Sequence, residues 1–224
     1  MRNYIKGKVE ESRKKENTLH GGTSVLVIDP LPEHINLDNV LRRVESAVPA
    51  FLTSELDAVY IGQFKILADR NIQALYYHGT VYLTNEQDDE NDIYDDLIHE
   101  ISHSIETLKK DQIYGDGALQ REFMKKRLQL HDVLVSAGYD IEWDDMSDPQ
   151  YEKNLDSYLY WTVGYDILRQ LIAGIFISPY SATSLREYWA KGYEAYLTSG
   201  RLDLKEVSPV LYNKIELIHG EENV

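Results

Sequence analysis

The chain has 224 residues, 43% of them hydrophobic, no cysteine and a formal net charge of −15. That composition supports one packed domain, or one domain with a small appendage, and excludes wholesale disorder, disulfides and cysteine-held zinc. So negative a chain is a poor match for nucleic acid or an anionic membrane surface, and it favours cationic segments in a substrate.

Residues 1–22 are polar and close on Gly21-Gly22, which reads as a helical or flexible leader. Met1 to Glu10 is charged and lacks a long apolar run, unlike a signal peptide. Ser24 to Asp29 is β-branched and apolar and stops at Pro30 and Pro32, as a buried strand does. Leu37, Val40, Leu41, Val44 and Val48 recur at helical spacing. Ala58 to Gly62 is a second strand, and Ile72 to Tyr77, His78-Gly79 and Thr80 to Thr84 read as a β-hairpin.

An acidic loop, Glu86 to Asn91, follows, and helices are predicted near 92–110, 118–137, 155–176, 184–198 and 203–218. Asp140 to Gln150 is an acidic, proline-containing loop. Strands come first and helices after, so the expected class is α+β, with a single domain over 23–224. The longest apolar stretch, Leu171 to Ile177, is far short of the roughly 20 residues a membrane span needs. The expected location is cytoplasmic, with delivery by another route left open.

Chemistry enters at Asp95-Asp-Leu-Ile-His99-Glu100-Ile-Ser-His103, which holds H-E-x-x-H inside a helical segment. At about 100° per residue, His99 and His103 lie roughly 40° apart on one face, one turn apart. Their Cβ atoms are then about 6 Å apart, so two imidazoles can converge on one ion. Glu100 projects about 100° from His99 and can reach a water on that ion without binding the ion itself. The competing explanation is a surface helix that happens to carry these residues. A shuffled chain of this composition would contain the pattern only about 0.02 times. Leu97, Ile98, Ile101 and Ile105 also supply a stripe for burial.

A catalytic zinc needs a third protein ligand and one open position. Glu106 and Lys109 stand where the extended metzincin pattern requires Gly and His, so the third ligand must come from later in the chain. The stretch Tyr180-Ser-Ala-Thr-Ser-Leu-Arg-Glu187-Tyr-Trp-Ala-Lys-Gly-Tyr-Glu194 is the candidate.

Glu187-Tyr-Trp-Ala-Lys-Gly-Tyr193 resembles the helix that follows H-E-x-x-H in the zinc peptidases related to the lethal-factor toxin and the Pro-Pro endopeptidases. The resemblance spans about residues 72–108 and 178–198. It implies a zincin-like metallopeptidase fold, with a small N-terminal sheet carrying an edge hairpin and a mostly helical C-terminal half. It also implies one zinc ion held by His99, His103 and Glu187, with Glu100 as catalytic base and Tyr180, seven residues before Glu187, as the oxyanion donor. Three features depart from the family: Ser102 replaces its usual Gly, Arg186 and Lys191 replace acidic or neutral residues, and the longer interval from His103 to Glu187 implies inserted helices near 115–165.

Other roles remain open for several of these residues. Glu187 also fits a capping box with Ser184, Glu194 is a rival ligand or a group orienting a histidine, and Tyr180 fits a plain turn after Pro179. Asp95, four residues before His99, can orient that ring or simply complement the helix dipole. His20, His34, His78, His131 and His219 lack paired spacing and read as surface or hydrogen-bonding residues.

The function expected is a zinc-dependent endopeptidase acting on a peptide or protein substrate that lies extended along Gly79–Thr84 as an added strand. The alternative is a catalytically weak or inactive zincin-like module in a larger assembly. A toxin-like effector is a third possibility, though no delivery domain is visible.

Overall fold

The computed structural model describes residues 17–198 and 200–221. Most of the expected polar leader therefore lies outside the described residues. Its last part is ordered: Asn17–Thr18 forms a short strand, β1, and His20–Gly22 a 3-10 turn. The architecture is mixed α+β, and the chain divides into two compact units, one ending at Leu108 and the other beginning at Lys109.

The first unit is built on a five-stranded sheet with spatial order β1-β2-β3-β5-β4. Its other strands are β2 (Ser24–Val27), β3 (Ala58–Ile61), β4 (Ala74–Tyr77) and β5 (Thr80–Leu83). β2, β3 and β5 run parallel, and β1 and β4 flank them antiparallel. Val25, Val59, Ile61, Val81 and Leu83 are fully buried, which accounts for the β-branched composition of the central strands. Helix α1 (Leu37–Ala47) joins β2 to β3, buries Leu37, Val40, Leu41 and Val44, and is capped by the Asn36 side chain. A short helix, α2 (Lys65–Ala68), leads to the hairpin.

The hairpin turns where the sequence places it. His78 and Gly79 both take positive φ, 47° and 78°, the requirement of a two-residue type I′ turn. One expectation is corrected. β5 lies between β3 and β4 with both edges occupied, so nothing can add along Gly79–Thr84. The terminal strand of the hairpin is β4. Thr84 N–H donates to Gln73 O at 2.8 Å, so pairing alternates with Leu75 and Tyr77 turned to β5, and the main-chain groups of Ala74 and Tyr76 turned outward.

Helix α3 (Glu90–Leu108) packs on β4, β5 and α1 through Ile93, Leu97, Ile98, Ile101 and Ile105, all fully buried. The acidic loop before it serves the helix start. Asp89 Oδ1 accepts from Asn91 N at 2.6 Å and Asp92 N at 3.1 Å, and these bonds hold its carboxyl below the usual range.

The second unit is helical. It comprises α4 (Lys110–Tyr114), α5 (Ala118–Ser136), α6 (Lys153–Ser157), a seven-residue π-helix (Tyr158–Gly164), α7 (Tyr165–Leu171), α8 (Leu185–Leu197), α9 (Arg201–Val207) and α10 (Pro209–His219). Its core gathers Phe123, Leu130, Tyr188, Trp189, Leu211 and Ile215. Gly192 lets α8 approach α10 closely, because a Cβ there would collide with the Leu211 side chain.

Two predicted helices are interrupted. The helix expected over 155–176 passes through the π-helix, breaks at Gly164 (φ 81°, ψ 134°) and ends by Leu171, before Gly174 at φ 75°. The helix expected over 203–218 divides at Ser208, because Pro209 has no N–H to donate and instead opens α10 at its first turn. Among the described residues, no helix is long and apolar enough to cross a membrane.

Candidate metal centre

The apolar stripe of α3 sets the phase of its polar residues. With Leu97, Ile98 and Ile101 in the core, Glu100 is 7% and His103 4% exposed, and His99 is half-buried. The two imidazoles stand edge to face, with ring centroids 5.1 Å apart and planes at 89°. Ser102 is fully buried and donates its hydroxyl back to His99 O at 2.5 Å, so it fits within the helix without exposing a polar group.

His103 Nδ1 lies 3.2 Å from Glu106 Oε2. An ionised carboxylate only accepts, so the proton of this bond sits on Nδ1 and leaves Nε2 as the lone-pair nitrogen. Glu106 thus holds the His103 ring by one nitrogen, a contact that the spacing of the H-E-x-x-H motif alone does not mark. Its i, i+3 spacing from His103 is a signal that could have found it.

Glu100 is fixed from the hairpin. Its Oε2 accepts the Tyr76 N–H at 2.5 Å, one of the outward-turned main-chain groups of β4. The carboxylate predicted to act as base is therefore held against the terminal strand of the sheet.

In the second unit, Ser184 caps α8 by accepting from Glu187 N at 3.1 Å. The capping relationship read from the sequence and the presentation of the Glu187 carboxylate coexist, and Glu187 Oε2 is shielded from solvent. Tyr180 lies in the 3-10 turn Tyr180–Ala182 just before the cap. Burial, followed by the nearby Glu187 and Asp156 carboxylates, raises its phenol pKa far above the ordinary value. Its hydroxyl therefore stays protonated.

The Tyr180 and Glu187 neighbourhood also holds Tyr151, Asp156 and Tyr165. Tyr151 donates to Asp156 Oδ2 at 2.8 Å, and burial together with that bond pushes its phenol up to about 12. Tyr165 is raised as well, mainly by burial, with Asp156, Tyr151, Tyr160 and Glu187 adding to it. No spacing rule in a chain with 17 tyrosines marks these residues in advance.

Among the described residues, His99, His103 and Glu187 form a group that could hold a metal ion. Each offers one ligand atom, and these atoms all lie within 4.8 Å of one another. No protein-family model matches the chain, and no curated protein or solved structure gives a significant match.

The donor set is two imidazoles and one carboxylate. Atoms about 2.1 Å from a common tetrahedral ion stand roughly 3.4 Å apart, a spacing compatible with that bound. Glu194 is not in the group, and its Oε2 pairs with Lys191 Nζ at 2.6 Å. Asp95 is exposed on the first turns of α3. Of the remaining histidines, His34 bonds Asp88 O, His20 bonds Val48 O and His219 bonds the Tyr193 hydroxyl.

Proposed function

We propose that this protein is a zinc-dependent endopeptidase, with one zinc ion per chain held by His99, His103 and Glu187. The observation that carries this reading is the mutual approach of two imidazoles and a carboxylate, drawn from an H-E-x-x-H helix and a residue 84 positions later. Nitrogen and oxygen donors in that proportion suit zinc and leave a fourth position open, as catalytic rather than structural zinc sites do. The resemblance to lethal-factor-like and Pro-Pro endopeptidases points the same way.

Bound there, zinc would supply Lewis acidity and lower the pKa of a bound water towards about 7. Glu100, steadied by the Tyr76 N–H, takes the proton of the attacking water and returns it to the leaving amine. The protonated Tyr180 hydroxyl donates to the carbonyl oxygen as negative charge develops on it. Glu106 keeps His103 in the ligating tautomer. An extended peptide pairs with the outward main-chain groups of Ala74 and the outward carbonyl of Tyr76 on β4, the Tyr76 N–H being held by Glu100, and the chain's net negative charge favours cationic segments in it.

The test is metal analysis coupled to cleavage of a peptide library. The wild-type chain is expected to bind one zinc per chain and to cleave. Glu100→Gln should keep the zinc while losing about 10²–10⁴-fold in turnover. His99→Ala should lose the metal. Undiminished cleavage by Glu100→Gln removes that carboxylate from the chemistry. Zinc uptake without any cleavage by the wild type favours a non-catalytic metal-bearing module.

A further inference from the structure

Helix α5 carries a fully buried arginine that the chemistry above does not use. Arg127 has 0% exposure, and its guanidinium is spent on main-chain carbonyls. Nε donates to Ala182 O at 3.0 Å and Nη2 to Thr183 O at 2.5 Å. Nη1 donates to Met146 O at 2.9 Å and Asp148 O at 2.5 Å. A rigid five-donor fork suits this task, and a lysine ammonium cannot reproduce its geometry.

The carbonyls it gathers are informative. Ala182 and Thr183 lie between Tyr180 and the Ser184 cap of α8, in the seven-residue interval that separates Tyr180 from Glu187. The same interval is fastened by Thr183 Oγ1 donating to Tyr180 O at 2.8 Å. Leu185 N donates to Pro149 O at 2.8 Å, tying the start of α8 to the 146–149 loop that Arg127 also holds. On the far side of Glu187, the Tyr188 hydroxyl donates to Glu122 Oε1 at 2.9 Å, again on α5. Glu187 is thus bracketed by two anchors from one helix. Burial lowers the Arg127 pKa to about 10, which still leaves it charged at neutral pH.

We propose that Arg127 is a positioning residue for the metal centre: by clamping the carbonyls of 182–183 to those of 146 and 148, it sets the reach of the Glu187 carboxylate and the Tyr180 hydroxyl. This rests on the metal-site reading above. A ligand misplaced by about 1 Å weakens the site without unfolding the chain, as loss of an outer support commonly does.

The neighbouring Lys126 provides the control. It is also buried on α5, and its Nζ donates to Ile175 O at 2.5 Å and Val207 O at 2.6 Å, carbonyls outside the 180–187 segment. The full-length chain is titrated with zinc chloride against a chromophoric chelator, alongside far-ultraviolet circular dichroism and thermal unfolding. Arg127→Lys is expected to stay folded, to melt earlier and to bind zinc about 10–100-fold more weakly. Lys126→Met is expected to melt earlier with zinc affinity within about threefold of wild type.

Unchanged zinc affinity in folded Arg127→Lys, or equal weakening in both variants, overturns the proposal. If Arg127→Lys does not fold, Arg127→Gln takes its place, and failure of both to fold assigns Arg127 to folding alone and also overturns it. A wild-type chain that takes up no zinc removes the metal-site reading and this proposal with it. That result is distinct from wild-type binding with an unaffected Arg127 variant, which removes positioning only.

Discussion

The groups that orient His103 and Glu100 come from close by in the chain, whereas those that hold Glu187 come from far away. Glu106 is three residues from His103, and Tyr76 is 24 residues from Glu100 in the hairpin that α3 packs on. Around Glu187 the anchors are Arg127, 55 and 56 residues before the carbonyls of Ala182 and Thr183 that it holds, and Glu122, 66 residues before Tyr188. The first arrangement follows from periodicity, because burying one stripe of α3 places every other residue of the helix. The second depends on buried charge meeting main-chain groups exposed at the ends of short helices, which no local pattern specifies.

This contrast can be broken by unequal losses of stability. The largest is expected at Glu122, whose carboxylate accepts from the Tyr188 hydroxyl and from Val210 N and Leu211 N at the start of α10. Glu122→Ala leaves three donors without that acceptor and should cost about 3–4 kcal/mol in urea unfolding. A loss below about 1 kcal/mol would show that water replaces the carboxylate and that the long-range anchors matter little.

A smaller effect is expected from pH. Burial, with Arg201 nearby, holds His219 down at about 4, so the folded protein keeps it neutral. Between pH 6.5 and about 4 the unfolded chain takes up a proton that the folded chain refuses. The contribution is fully present above pH 6.5 and is lost as pH falls through that window. Discounted for its partial exposure, the effect is about 1–2 kcal/mol. Stability of wild type and His219→Gln should therefore converge on acidification, and parallel pH curves would refute a neutral buried imidazole.

The smallest is local. Gly79→Ala must keep φ near 78° and displace the Asp57 side chain that lies against it, costing roughly 1 kcal/mol by thermal unfolding. An equal or larger loss here than at Glu122 would reverse the comparison.

Much of the first unit was legible in advance. Strands at 24–27 and 58–61, the His78-Gly79 turn and helix α3 all follow from apolar periodicity and the tolerance of glycine for positive φ. The Ser184 cap on Glu187 N was legible for the same reason, since a cap is satisfied within four residues. The division at Pro209 was written in the residue type and passed over. The π-helix at 158–164 carries no comparable mark, and which strand ends the sheet depends on pairing order, which alternation cannot report.

Residue order alone was enough to place two imidazoles and a carboxylate at positions 99, 103 and 100 of one amphipathic helix, because a 3.6-residue repeat converts spacing into direction. It could offer Glu187 and Glu194 only as alternatives, since both lie on one helix at equivalent phase. Among the described residues, Glu187 and not Glu194 joins His99 and His103 in a group whose candidate ligand atoms lie within 4.8 Å of one another, and Arg127 is enclosed among carbonyls 19 to 56 residues on. Such choices follow from burial: a charge removed from water must find partners wherever packing has left main-chain groups unmatched, and sequence separation plays no part in that.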